Sequence, residues 1–376
     1  MTNNNNNRRN AAMFSENRLK LGVFAANCSS GTAVTRVPER WDASWENNLE
    51  LARMVDRSGI EFMLPIARWR GYGGETDFEG ASLETITWAC GLLAHTKNLN
   101  VFGTVHAPLV HPIFAAKQMV TVDHISGGRF GLNIVCGWNQ DEFDMFGVEQ
   151  REHDERYNYG QEWWDVVRRL WEDDAPFDFQ GRYFQFKSAR ADPKPFGGER
   201  PVLMNAGSSP PGQRFAARNC DVMFTTLVDP DRARKSLGDI RALARGFGRE
   251  VDIYTSTNVV CRPTQKEAEE YHHHYAVENA DEEGVDRLME LQGLYAQTYP
   301  RDILDSLRTR FAAGHGSYTI VGDPDHIARE YQQIAALGFS GATLAMVNYL
   351  DSLPFFIEEV LPRLENLGLR RPTENL

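Results

Sequence analysis

The chain has 376 residues, 42% hydrophobic and 24% charged, which suffices for one large α/β barrel or two medium domains with a substantial core. Acidic and basic residues are interspersed and the net charge is −12, which argues against nonspecific binding to nucleic acid or to an anionic membrane. The five cysteines (Cys28, Cys90, Cys136, Cys220, Cys261) form no CxxC pair and mostly sit in apolar runs, as expected of reduced thiols in a cytoplasmic protein; no apolar run approaches a bilayer span.

Residues 1–18 are polar and Asn-rich, with no signal-peptide pattern, and are expected to be a disordered tail. From 19 to 370, short β-like runs alternate with amphipathic helical patterns in a single expected domain. The runs are 19–26, 62–67, 99–107, 130–137, 201–208, 222–226, 252–261 and 342–348, most of them apolar on both faces. Helices are expected between them, for example over 81–96, 111–126 and 152–171, the last with Trp163, Trp164, Val167, Leu170 and Trp171 as its core stripe. Eight such strands point to a (β/α)₈ barrel rather than a doubly wound open sheet, because the first βα unit carries no dinucleotide or phosphate-loop fingerprint. Two segments read as insertions. One, 173–198, is rich in aromatics, Gly and Pro; the other, 264–318, carries long charged helices that serve either as a lid over the barrel mouth or as a solvated helical pair.

The chain has no HExxH, GxSxG, Walker A or EF-hand pattern. The Gly-rich "GYGGETDFEG" (71–80) lacks GxGxxG spacing and reads as a flexible loop. In "YHHHY" (271–275) adjacent histidines point in different directions on a helix, so no metal is expected. The informative pattern lies at the strand C-termini: Arg68, then Thr104 and His106, then Asn133 with Trp138 and Glu142 just beyond, then Ser208 and Ser209. In a barrel these ends converge on one mouth, although a satisfied structural hydrogen bond remains the plainer reading of any single one. "NAGSSPPGQRFAAR" (205–218) places hydroxyls and backbone N–H groups at a helix start, which suits a phosphate or a simple N-cap. Arg156 and Tyr157, at the start of the 152–171 helix, are placed to reach an anion at the same mouth.

"HISGGRFGLNIVCGW", "EHDERYNYGQEWW", "NAGSSPPGQRFAAR" and the late "VGDPDHIAREYQQIAALGFSGATLAMVNYLDSLPFFIEEVLPRL" together resemble the bacterial-luciferase-like flavin monooxygenases. The likeness runs from about 19 to 365 and is strongest to the pyrimidine, dimethylsulfone and alkanesulfonate branches. It implies a luciferase-like barrel using O₂ and reduced FMN supplied by a separate NAD(P)H-dependent flavin reductase. Carried over motif by motif, it implies that Ala67, Arg68, Thr104, Asn133, Glu142, Arg156, Tyr157, Gly207, Ser208 and Ser209 hold the flavin. It further implies that Thr104 and Asn133 serve O₂ activation. Ala67, Trp69, His106 and Pro108 depart from the pyrimidine-enzyme pattern, which points away from uracil itself.

The function expected is therefore a two-component monooxygenase acting on a small, fairly polar compound, with a nitrogen heterocycle or amide cleaved at C–N ahead of a sulfone or sulfonate cleaved at C–S. Arg68, His106 and Trp138 are the substrate-side candidates. The alternatives are a deazaflavin-dependent oxidoreductase and a non-catalytic flavin-binding protein. The resemblance also implies a homodimer or homotetramer.

Overall fold

The computed structural model describes residues 11–294 and 301–372. In chain order the elements are β1 (Lys20–Phe24), α1 (Trp45–Ser58), β2 (Phe62–Leu64), α2 (Thr85–Ala94), β3 (Asn100–His106), α3 (Pro112–Ser126), β4 (Phe130–Val135), α4 (Gln140–Phe146) and α5 (His153–Glu172). An antiparallel hairpin of β5 (Phe177–Gln180) and β6 (Gln185–Ala189) follows, then β7 (Val202–Asn205), α6 (Pro210–Asn219), β8 (Val222–Phe224), α7 (Pro230–Gly246) and β9 (Asp252–Cys261). Next come α8 (Gln265–His273), α9 (Glu282–Leu291), α10 (Arg301–Gly314), β10 (Tyr318–Gly322), α11 (Pro324–Leu337), β11 (Gly341–Ala345), α12 (Tyr349–Glu359) and α13 (Leu361–Asn366).

Eight strands pair in parallel in the order β1, β2, β3, β4, β7, β8, β9, β11, and β11 returns to β1. These are the eight runs expected from the sequence, closed into a (β/α)₈ barrel. All seven residues of β3 are buried, as a strand must be when helices cover one face and the barrel interior the other. β9 is ten residues long and has more than its barrel partners. β8 pairs with Asp252–Tyr254 and β11 with Tyr254–Asn258, while the far end, Thr257–Cys261, carries β10 as a ninth strand. No helix among the described residues is long and apolar enough to cross a membrane.

Several boundaries differ from the sequence reading for local reasons. β2 stops at Leu64 rather than 67, because Pro65 has no N–H to continue the ladder. Asn27 takes over instead: its Oδ1 accepts from Ile66 N at 3.0 Å and its Nδ2 donates to Ile66 O at 2.8 Å. α2 begins at Thr85 rather than 81, since the Glu84 carboxylate captures the N–H groups of Ile86 and Thr87 and fixes the helix start there. The expected tail also shortens. Residues 1–10 lie outside the described residues, as do 295–300 of the second insertion, but 11–18 are described and include a short 3-10 turn, Ala12–Phe14. Met13 packs into the barrel floor with Phe62, Phe102 and Tyr254.

The two chain ends meet at one buried carboxylate. Glu61 is fully buried and accepts from Asn17 Nδ2 at 2.5 Å, Leu21 N at 2.8 Å and Arg370 Nη1 at 2.8 Å. Removing one partner of a buried ion pair strands the other charge. Arg370→Ala is therefore expected to cost about 3–5 kcal/mol in unfolding free energy, read from a denaturant titration.

Candidate active site

The C-terminal ends of the barrel strands open into a cavity of about 760 Å³. Of the twelve residues singled out from the sequence, ten line it: Ala67, Arg68, Thr104, His106, Asn133, Trp138, Tyr157, Gly207, Ser208 and Ser209. Glu142 and Arg156 do not. Glu142 lies behind Arg68, and the Arg156 guanidinium is taken up by the carbonyls of Arg151 and Gly137, both at 2.9 Å.

Thr104 and Asn133 are register partners on β3 and β4, so the pleat points both side chains into the mouth. The Thr104 hydroxyl donates to Pro65 O at 2.7 Å and accepts from Asn133 Nδ2 at 3.2 Å. With its single hydrogen committed to Pro65, the hydroxyl has only a lone pair for Asn133, which fixes the carboxamide with nitrogen toward Thr104. Asn133 Oδ1 is left buried without a partner among the described residues.

Across the mouth, Asn205 shapes the loop after β7. Its Nδ2 donates to Ile134 O at 2.7 Å and its Oδ1 accepts from Gly207 N at 2.9 Å. A Cβ on Gly207 would lie 2.7 Å from both Gly212 Cα and Tyr157 Oη, so only glycine lets the loop approach α6 this closely. The helix start offers fewer donors than its sequence suggested. Pro210 and Pro211 have no N–H, and Ser209 Oγ caps Gly212 N at 3.4 Å. The N–H groups of Ser208 and Ser209 and the Ser208 hydroxyl remain for an anion.

Sequence reasoning missed the strongest charge cluster. Arg68 is buried, and its Nε donates to Glu79 Oε2 at 2.8 Å, its Nη1 to Glu142 Oε1 at 2.9 Å and its Nη2 to Tyr72 Oη at 2.5 Å. Burial opposes the guanidinium charge, but Tyr72, Glu79 and Glu142 outweigh it and raise the pKa. Two carboxylates thus face one guanidinium in the cavity wall. His106 Nδ1 lies 3.7 Å from Glu142 Oε2. Burial nonetheless pushes its pKa down to about 4, so the imidazole is neutral at physiological pH. The helical insertion supplies Gln292, Arg310, Phe311 and His315 to the cavity lining. Arg310 donates to the carbonyls of Leu227, Gly316 and Ser317 and has no carboxylate partner among the described residues.

A profile of the family described as luciferase-like monooxygenase matches residues 19–341. The chain belongs to the luciferase-like monooxygenase family. This luciferase-like monooxygenase is 29% identical to the FMNH(2)-dependent dimethylsulfone monooxygenase of Pseudomonas fluorescens, over 94% of the chain and 96% of that protein. It is 30% identical to the pyrimidine monooxygenase RutA of Cronobacter sakazakii, over 89% of the chain and 99% of that protein. Among solved structures it shares its fold with riboflavin lyase RcaE, at a TM-score of 0.83 and 24% identity, covering 94% of this chain and 92% of that one.

The low pKa of His106 has a measurable sign. The ordinary value is 6.5, so as pH falls the unfolded chain takes up this proton first, and His106 favours the folded state increasingly as pH rises from about 4 to 6.5. A histidine-ring NMR titration of the folded protein is expected to show His106 still neutral at about pH 5; a midpoint near 6.5 would refute its burial.

Proposed function

We propose that the protein is a reduced-FMN-dependent monooxygenase that oxygenates a small uncharged nitrogen heterocycle or amide and cleaves a C–N bond. The cofactor fits the cavity on two structural grounds. The Gly207–Gly212 approach makes a backbone cradle that any side chain would fill, beside the free donors of Ser208 and Ser209. The buried, unpartnered Asn133 Oδ1 is the acceptor that an N–H of a reduced isoalloxazine requires. That orphan oxygen is the observation that carries the reading. The cavity volume falls within the range of ligand pockets, roughly 300–1,000 Å³.

In this reading Gly207, Ser208, Ser209 and Tyr157 hold the phosphate, and the unneutralised Arg310 adds a complementary charge. Ala67 and Arg68 border the ring system. Glu142 acts through Arg68, and Arg156 acts by fixing the Gly137 carbonyl. Reduced FMN supplies the electrons that let one atom of O₂ enter the substrate. Thr104 holds the Asn133 carboxamide in one orientation, and the helical insertion serves as a lid that keeps bulk water from the site. Because Arg68 is saturated by Glu79 and Glu142, the wall offers no free cation at this end among the described residues, which disfavours an anionic sulfonate. A separate NAD(P)H-dependent flavin reductase reduces the FMN, in the cytoplasm. Phe114 and Ile125, both exposed on α3, offer an apolar face for a homodimer or homotetramer.

With FMN, a flavin reductase, NADH and ¹⁸O₂, the purified protein is expected to place label in at least one member of a panel of heterocycles, amides and sulfones. Failure with every member sinks the proposal. Asn133→Ala is expected to raise hydrogen peroxide release roughly tenfold per turnover and to weaken binding of reduced FMN, while affinity for oxidised FMN changes little. Gly207→Ala, in contrast, is expected to weaken FMN binding at least about tenfold in a fluorescence titration, with the fold retained.

A further inference from the structure

Arg68 is held by two carboxylates from separate segments, Glu79 in the loop after β2 and Glu142 on α4. Helix α9 of the insertion grips both segments. At its start, Asp281 is 2% exposed and caps Gly284 N at 3.3 Å. The same carboxylate reaches across to the loop, accepting from Glu75 N at 3.2 Å, Thr76 N at 2.8 Å and Thr76 Oγ1 at 2.7 Å. Further along the helix, Arg287 Nη2 donates to Asp141 Oδ2 at 2.7 Å, and Asp141 is next in sequence to Glu142. Neither Asp281 nor Arg287 lines the cavity.

The loop contact is built for close approach. Gly74 has a φ of 75°, and a Cβ there would lie 2.5 Å from Asp281 Oδ1. Burial opposes the charge on Asp281, but the hydrogen bonds from Thr76, Glu75 and Gly284 outweigh it and lower the pKa, so the anchor is an ionised acceptor. Between the anchors, Val285, Leu288 and Met289 pack in one apolar cluster with Tyr72 and Phe78 of the same loop. Tyr72 Oη in turn accepts from Arg68 Nη2. Arg287 is 41% exposed, so its ion pair is weak alone and Asp281 is the stronger anchor.

We infer that α9 is a brace, with Asp281 and Arg287 as positioning residues that hold Glu79 and Glu142 at the separation Arg68 spans and so fix a cavity wall they do not touch. Without an anchor, one carboxylate is free to swing away, and water takes its place on the buried guanidinium. Trp69 N reports this from the far side, because it donates to Glu142 Oε1 at 2.9 Å. Its protection from exchange therefore depends on where Glu142 sits.

The test follows backbone amide exchange by mass spectrometry in the full-length protein, without flavin or turnover, so it stands apart from the proposed reaction. Asp281→Ala is expected to speed exchange at the Trp69 amide at least about tenfold, while the amides of β3 and β4 keep wild-type rates. Arg287→Ala is expected to act in the same direction and more weakly. Asp281→Asn keeps one carbonyl acceptor for the loop and is expected to restore part of the protection. Should Asp281→Ala fail to fold, Gly74→Ala parts the same contact from the loop side and is expected to give the same pattern. With a substrate that the wild type oxygenates, Asp281→Ala is also expected to lower product formed per FMN oxidised at least about threefold, with affinity for oxidised FMN unchanged. Wild-type exchange at Trp69 in the alanine variant overturns the inference. Equal acceleration across β3 and β4 overturns it too, since Asp281 is then a general stabiliser.

Discussion

The mouth of this barrel is organised around one buried guanidinium. Arg68 reaches from the end of β2 to Glu79 and Tyr72 in the following loop and to Glu142 on α4, so one side chain ties together segments that share no ladder. Breaking a buried ion network of this kind at any one member leaves an uncompensated charge, so each partner holds the others in place. The consequences spread outward. Glu142 also accepts from Trp69 N, fixing the main chain beside the cavity, and Tyr72 offers its ring to His315. The insertion is fastened to the same loop by Asp281, whose carboxylate receives the N–H groups of Glu75 and Thr76. Remove Arg68 and the wall loses its cation and its loop anchor together.

The other wall follows a different principle. There the chain uses absence of side chain rather than charge: Gly207 lets one backbone lie against another, and Asn205 holds the turn by bonding both ways. Between the two walls, Thr104 and Asn133 form a hydrogen-bonded pair whose orientation is dictated by the Pro65 carbonyl. The cavity therefore has one end built on buried charge and another built on close backbone approach, an asymmetry a cofactor and a small polar substrate can divide between them.

Much of this was legible in the chain. Strands apolar on both faces and separated by helical patterns sufficed for the barrel, and polar residues at four successive strand ends marked its mouth. What stayed hidden depended on tertiary partners. Glu79 sits in a Gly-rich stretch that reads as flexible, and its left-handed φ of 56° has no signature in sequence. His315 lies in "AGHGS", where flanking glycines suggest a turn but nothing connects it to Arg68, nearly two-thirds of the chain away. The available hint was an unusual one: a bulky, titratable residue between glycines at a helix end, a place usually left to glycine itself. The prolines of "SSPPG" misled in the opposite direction, since a motif that resembles a rich anion site loses two of its donors to them.

The length of β9 bears on how anything enters. Its last three residues, Val259–Cys261, run beyond β11, and Thr257–Cys261 carry β10 in parallel register, so the return path of the insertion is part of the sheet rather than a flap hinged upon it. A gate built in this way has a fixed jamb. Swinging β10 aside would break a main-chain ladder, so whatever moves to admit a ligand leaves that strand in place.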